Sequence, residues 1–398
     1  MFCPILLLMI AILPQGEISE RDFDAARTPG LNASQIAEGW LALFDGQSTY
    51  GWRGSQETNW QIAGGALTSN SKERKTELLR TAAQFDNFQL KFDFAVSDKA
   101  KSSLLIRTSP KPVDRKQDCF EIQLTPQGKD FPTGSISSHD ATAKVAPVAV
   151  GNDKWNQLEI HADGLAIKVW LNDVEVVYFQ AKNQFVKKGF IGLSSERGAT
   201  RIRNIVIKPQ VTEQMIGEDL EEWVSKDSRD SKFDVEQEVL NMTSGPGQLE
   251  TRKQYDNFIF SSHIRTNADG LNSGIFFRCI PGDFMNGYES QIQNQFKDND
   301  RSQPSDCGTG GIFRRQNARS VNATDKGWFA KTIIADGATI CVWVNGLQVA
   351  DWTDKRKANL NPRRGRRLEA GTIILQGHDP TTDVSFRAMK IRNLEKRR

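Results

Sequence analysis

The sequence predicts an all-β protein built as two tandem β-sandwich domains of jelly-roll type. Three observations carry that expectation. Short runs rich in β-branched and aromatic residues, such as Phe88-Gln-Leu-Lys-Phe-Asp-Phe94 and Ile167-Lys-Val-Trp-Leu171, recur between Gly, Asn and Asp turns along the chain. The two halves repeat the same motifs in the same order. A hydrophobic share of 38% over 398 residues supplies a core for each half, and 22 Phe and 9 Trp against 4 Tyr suit β-rich interiors.

The chain opens on Met-Phe-Cys-Pro-Ile-Leu-Leu-Leu-Met-Ile-Ala-Ile-Leu. This apolar run is too short to span a bilayer and sits where an export signal belongs, so residues 1–19 are expected to be a signal and the protein to be exported, periplasmic or extracellular. No other segment could span a membrane, and a net charge of +3 makes no demand for nucleic acid or an anionic surface. The first sandwich is expected over residues 36–209 and the second over 212–396. Residues 60–67 match 233–240, Phe85-Asp-Asn-Phe88 matches Tyr255-Asp-Asn-Phe258, and Leu104-Leu-Ile-Arg107 matches Ile275-Phe-Phe-Arg278. Further on, Phe120-Glu-Ile-Gln-Leu124 matches Tyr288-Glu-Ser-Gln-Ile292, Trp170-Leu-Asn172 matches Trp343-Val-Asn345, and Ile202-Arg-Asn-Ile205 matches Ile391-Arg-Asn-Leu394. Ordered matches over a whole half mark a duplicated domain. Between the units, residues 210–230 are acidic, with room for a helical turn, and Trp223 stands where Trp52 stands in the first copy.

Within the second unit, residues 271–293 form two β-rich runs around a Pro-Gly-Asp-Phe-Met-Asn-Gly turn. Strict alternation puts Asn272, Gly274, Phe276 and Arg278 on one face and Ile275, Phe277 and Cys279 on the other. Glu289, Gln291 and Gln293 likewise oppose Tyr288 and Ile292. One sheet face therefore gathers an Arg, a Glu and a Gln, an arrangement an ordinary solvent face would also give.

Several classes of chemistry find no motif. Cys119, Cys279, Cys307 and Cys341 show no CxxC spacing for a structural zinc, and either one bridge in the second half or buried thiols would fit. Four histidines, His139, His161, His263 and His378, do not assemble a Ser-His-Asp set, and no phosphate-binding Gly loop or His-Glu-x-x-His occurs. Residues 355–357 and 363–367 make a basic loop without interleaved aromatics, which reads as a solvated loop near a site mouth rather than a nucleic-acid surface.

Leu43-Phe-Asp-Gly46 with Gly51-Trp52, Trp60 to Leu67, Asn272-Ser-Gly with Arg278, Tyr288-Glu-x-Gln291, Thr309-Gly-x-Ile312 and Leu375-Gln-Gly-His378 together resemble the 3-keto-disaccharide hydrolase family, also described as a 3-keto-glucoside-1,2-lyase / 3-keto-2-hydroxy-glucal hydratase domain. The resemblance runs over nearly the whole mature chain, twice. It implies a concanavalin-like sandwich, export, and action on sugars oxidised at C3. In such a sugar the C3 ketone acidifies the C2 proton, so a base can form the enolate and the C1 group can leave by β-elimination, with no oxocarbenium ion. The site needs a base, a positive group for the enolate oxygen and an acid for the leaving group. Glu289 and His378 become base or metal-ligand candidates, Arg278 an enolate or hydroxyl anchor, and Gln291, Gln376 and Asn272 partners for sugar hydroxyls. A divalent metal could replace the arginine, with Glu289 and His378 as its ligands. No organic cofactor is called for.

The first copy reads as degenerate. It keeps Arg107, Glu121 and Gln123 but has Lys101-Ser-Ser103 for Asn-Ser-Gly and Leu193-Ser-Ser-Glu196 for Leu-Gln-Gly-His. Trp52 and Trp170 would be its sugar-stacking candidates, or core residues. A non-catalytic, lectin-like tandem sandwich is the alternative to an enzyme.

Overall fold

The computed structural model describes Phe23, Val150 and residues 27–54, 60–71, 77–126, 131–138, 142–143, 153–182, 186–225 and 228–395. The expected export segment and His139 lie outside the described residues. The chain is nearly all β, as the alternation predicts, and helix among the described residues is confined to Ala33–Ala37 and Arg115–Asp118. Phe88–Val96 shows why the strands form: its Phe, Leu, Phe and Phe face inward at every second position, with Gln, Lys and Asp between them turned outward.

In the first copy one long strand, Gly189–Pro209, belongs to both layers of the sandwich. Its first part pairs with Glu77–Phe85 and Lys101–Thr108, its second with Ala66–Ser71 and Phe88–Val96. In the second copy the equivalent strand is cut in two. Thr372–Gly377 is the middle of a five-stranded sheet, and Asp383–Asn393 joins an eight-stranded one. The break falls at His378-Asp-Pro-Thr-Thr, where Pro380 cannot donate to a ladder. Hairpin turns follow the sequence signals. Asn172-Asp173 takes left-handed φ of 49° and 65°, and Asn345-Gly346 takes 45° and 75°, the geometry of a two-residue type I′ turn.

The join holds no helix among its described residues. Glu213–Gln214 and Trp223–Val224 are short strands that start the second copy. Trp223 donates its indole N–H to Met215 O at 2.6 Å, and Trp52 donates to Leu43 O at 2.6 Å, so the two tryptophans occupy one structural position. Both are buried, which makes Trp52 a core residue rather than a sugar platform. Trp170 is half-buried on an outer sheet face, its ring 4.4 Å from that of His161. All four described cysteines are buried free thiols.

The two copies are not beads on a string. Ile259, Ile334, Cys341 and Trp343, on the outer face of the eight-stranded sheet, belong to the same apolar cluster as Leu41, Leu43 and Phe85 of the first copy. Trp343 reaches Ala42 O with its indole N–H at 3.0 Å. Around this apolar seam Arg53 pairs with Asp351 (2.6 Å), Arg319 with Asp45 (2.6 Å), Lys188 with Asp336 (2.8 Å) and Arg392 with Asp86 (3.0 Å).

Candidate functional site

The five-stranded sheet of the second copy buries Leu249, Ile275, Phe277, Tyr288, Ile292 and Leu375 against the opposite sheet. Its other face is the candidate site. Register places Glu289 opposite Phe276 and Gln291 opposite Gly274, while Phe276 faces Ile374 on the next strand and Gln376 faces Gln248. The middle of this face is a small apolar patch of Phe276, Ile374 and Met285. Polar side chains surround it.

Glu289 is the centre of the arrangement. Only 8% exposed, it leans over Gly274, where a Cβ would stand 2.9 Å from its Oε1 and 3.1 Å from Gln376 Oε1. The missing side chain is therefore what lets Glu289 and Gln376 converge. Among the described residues no donor reaches the Glu289 carboxyl. Burial raises its pKa to about 7, against the opposing pull of Arg363. Gln291 donates to Asn272 Oδ1 at 2.8 Å and Asp306 Oδ2 at 3.0 Å, and the side-chain oxygens of Gln291 and Gln376 are buried without a partner. Glu289, Gln291, Gln376 and Asn272, four of the six residues expected from the sequence, thus gather on one face.

Arg278 does not join them, and the reason is a β-bulge. The ladder between Ser273–Cys279 and Thr372–Gly377 slips between Phe276 and Cys279, and Arg278 sits at φ +50°. Alternation breaks there, so Cys279 joins Phe276 on the outer face and Arg278 turns away. The guanidinium donates to Asp256 O (2.7 Å), Gly337 O (2.7 Å), Arg367 O (3.3 Å) and Asn257 Oδ1 (3.3 Å), fully buried. It ties loops together and is not an enolate anchor. Gly371 lies against this bulge, where a Cβ would come within 2.2 Å of Cys279 O.

His378 is at the rim. It follows the last residue of Thr372–Gly377, four residue steps from the level of Glu289, or roughly 13 Å along the strands. Its side chain is 40% exposed and its Nδ1 lies 2.7 Å from Asp379 Oδ2. Glu289 and His378 are therefore not a ligand pair for one metal ion, and among the described residues no three His, Cys, Asp or Glu side chains gather as metal ligands. The donor set does not fit the divalent ion that the resemblance allows.

The sequence reading missed three features. Lys331, on the inward face of Phe329–Asp336, lies fully buried beneath the site and donates Nζ to Ser290 O (2.9 Å) and Gln291 O (2.8 Å). Burial lowers its pKa to about 7, with Glu289 pulling the other way. Its position inside could have been found, since Phe329, Lys331, Ile333 and Ala335 share one face. Arg363, from the basic loop, donates Nε and Nη2 to Met285 O and stands over Phe276, bringing a cation to the Glu289 face. Gln248 and Glu250 hold the 281–287 loop over the sheet by accepting from Met285 N (2.7 Å) and Gly282 N (3.1 Å).

Fold and site together define a tandem β-sandwich with one polar, carboxylate-bearing sheet face, in its second copy. The model of the 3-keto-alpha-glucoside-1,2-lyase-like domain matches residues 39–208 and again 212–392, and the chain belongs to that family through two adjacent copies. The family is one of carbohydrate-handling domains. No curated protein matches the sequence closely enough to count as a relative. Solved structures are similar over one copy's length. A protein of Parabacteroides distasonis described as a proposed glycosyl hydrolase is 17% identical at a TM-score of 0.40, over 45% of this chain and 98% of its own. The carbohydrate-binding module CBM66 from Bacillus subtilis is 16% identical at 0.32, over 40% and 95%. A seed lectin of Lotus tetragonolobus is 10% identical at 0.34, over 44% and 99%.

Proposed function

We propose that the second copy cleaves 3-keto-glycosides by abstracting the C2 proton and expelling the C1 group by β-elimination, followed by hydration. The observation that carries this reading is Glu289: a buried carboxyl without a hydrogen-bond donor among the described residues, whose pKa is raised by burial to about 7 and which faces an open sheet surface. A base poised near neutral pH suits removal of a proton α to a ketone. Arg363 takes the place expected of Arg278. Its Nη1 is not used in the bonds to Met285 O, so it can meet an enolate oxygen. The unpartnered oxygens of Gln291 and Gln376 suit sugar hydroxyls, and Asn272 holds Gln291 in place. The C2 proton goes to Glu289, the departing C1 oxygen takes its proton from solvent at the rim where His378 stands, and water then adds across the C1–C2 double bond. No step is routed through a metal.

The test is incubation of the full chain with a 3-keto-disaccharide while following release of the C1 group, beside the Glu289→Gln and Glu121→Gln variants. Glu289→Gln should lose about 10³-fold in rate, at the scale of a general base, and Glu121→Gln should lose nothing. Binding of the sugar without release in the native protein would instead make the second copy a carbohydrate-binding module.

A further inference from the structure

At Glu289 the surface dips into a recess of 90 Å³ lined by Glu289 itself together with Phe313, Arg314, Arg315, Pro362 and Arg363. Three guanidinium groups meet at one small opening without an ion-pair partner among the described residues, whereas several other arginines of the chain have one. Arg53, Arg319, Arg356 and Arg392 each lie within 2.6–3.0 Å of a carboxylate. Among the described residues, Arg314, Arg315 and Arg363 lie within ion-pair distance of none. Their bonds go to backbone carbonyls: Arg315 to Arg314 O (2.9 Å) and Arg363 O (2.8 Å), Arg363 to Met285 O (2.7 Å). Arg314 rests over the Phe313 ring at 5.1 Å, with its backbone at φ +57°. Each guanidinium has five donors, so several in this group are uncommitted. Arg315 is held below its usual range by burial and then by the neighbouring charge of Arg356. Glu289, the one acid lining the recess, lies within ion-pair distance of none of the three, so three guanidinium groups face a single buried carboxyl.

The arrangement is specific to the second copy. Arg363 comes from residues 354–371, which replace the much shorter connection made by residues 181–188 in the first. There the acid corresponding to Glu289 is already closed off, since Arg115 pairs with Glu121 at 2.7 Å. Glu289 makes no such pair, although Arg363 and Arg314 both act on its titration.

We infer that the sugar bound at this face carries an anionic substituent, a carboxylate or a sulfate, read by Arg314, Arg315 and Arg363; the inference rests on the carbohydrate reading above. Planar guanidinium groups with paired N–H donors match such oxyanions in geometry as well as charge. The recess admits one such group beside the sugar ring rather than a polyanion strand.

The experiment is a calorimetric titration of the full chain with cellobiose, with the same disaccharide bearing glucuronic acid at its non-reducing end, and with a 6-sulfated cellobiose, at low and high salt. At least one charged sugar should bind about tenfold more tightly than cellobiose, as charge-assisted hydrogen bonds allow. The advantage should shrink with salt and vanish in an Arg314→Gln/Arg315→Gln variant of unchanged melting temperature. Preference for the uronate alone assigns a carboxylate, and preference for the sulfate alone assigns a sulfate. Equal affinity for all three, or no binding of any at millimolar concentration, overturns the inference, while the release assay with a 3-keto-disaccharide still judges the lyase reading separately. Conversely, a charge preference in a protein that releases nothing sinks that reading and keeps the arginine assignment.

Discussion

The two copies share their framework closely and differ at the site. Arg107 repeats the role of Arg278 at φ +53°, donating to Asp86 O (2.8 Å), Gly164 O (2.6 Å) and Asn87 Oδ1 (3.3 Å). Gly189 meets that bulge as Gly371 meets its own, and the Trp52 and Trp223 indoles make the same 2.6 Å bond. Around the acid the copies part. Ser103 fills the space left open by Gly274 and donates to Glu121 at 2.7 Å, Arg115 pairs with the same carboxylate, Ser194 stands for Gln376, and Leu158 for Lys331. The shared arginine, glycine and tryptophan belong to the sandwich. The acid and its neighbouring glutamine also have counterparts, Glu121 and Gln123, so what sets the second copy apart is the open space around its acid rather than the acid itself.

Four experiments break or sharpen that contrast. The largest effect is expected at the shared arginines. Arg278→Met and Arg107→Met should each cost about 4 kcal/mol of unfolding free energy in denaturant melts, because a buried charge and several carbonyls lose their partners together. A large loss of turnover in Arg278→Met at unchanged stability would return Arg278 to the site. Next is the cost of burying Glu289. Its carboxyl titrates near 4.5 when unfolded and at about 7 when folded, so the folded chain holds the proton more tightly and stability falls as pH rises between those values. Glu289→Gln should therefore be more stable than the native chain by up to about 3 kcal/mol above pH 7, an advantage that closes below pH 4.5. A constant gap across that range would mean the group is not buried as charged. Third, Gly274→Ser imports the first copy's hydroxyl. It should lower kcat about thirtyfold and shift the pH midpoint of activity downward, because a hydrogen bond favours the charged carboxylate. Unchanged kcat would show that Glu289 does not depend on the open space. The smallest effect is expected at the rim, where His378→Ala should lower kcat by far less than the roughly 10²-fold of a direct general acid or base. A hundredfold loss would move the acid–base chemistry to the strand end.

Much of this was legible in the sequence. The repeat, the all-β class, the hairpins at Asn172-Asp173 and Asn345-Gly346, and the sharing of one face by Glu289 and Gln291 follow from ordered matches, period-two alternation and turn chemistry. Gln376 joins them in the sequence only through the family resemblance. Arg278 was misread because one extra residue in a strand reverses every side chain beyond it, and a bulge leaves little local trace. A trace did exist: the copy that lost the Gly and Gln kept its Arg107, which marks a structural residue. Arg363 was visible only as part of a basic loop, since nothing local tells which of that loop's arginines folds back over Phe276. The alternation of Phe329, Lys331 and Ile333 placed a lysine inside the sandwich, but its partners are carbonyls of a distant strand.

The apolar seam under Trp343 has a consequence for how the chain is inherited. Separated from the first sandwich, the second would present Ile259, Ile334, Cys341 and Trp343 to water as a bare patch, an invitation to aggregate. The half whose acid is closed off by Ser103 and Arg115 is thus a permanent escort for the other. Changes around its own acid leave that outer wall intact, whereas deletion of the first half would strip the second of its apolar cover.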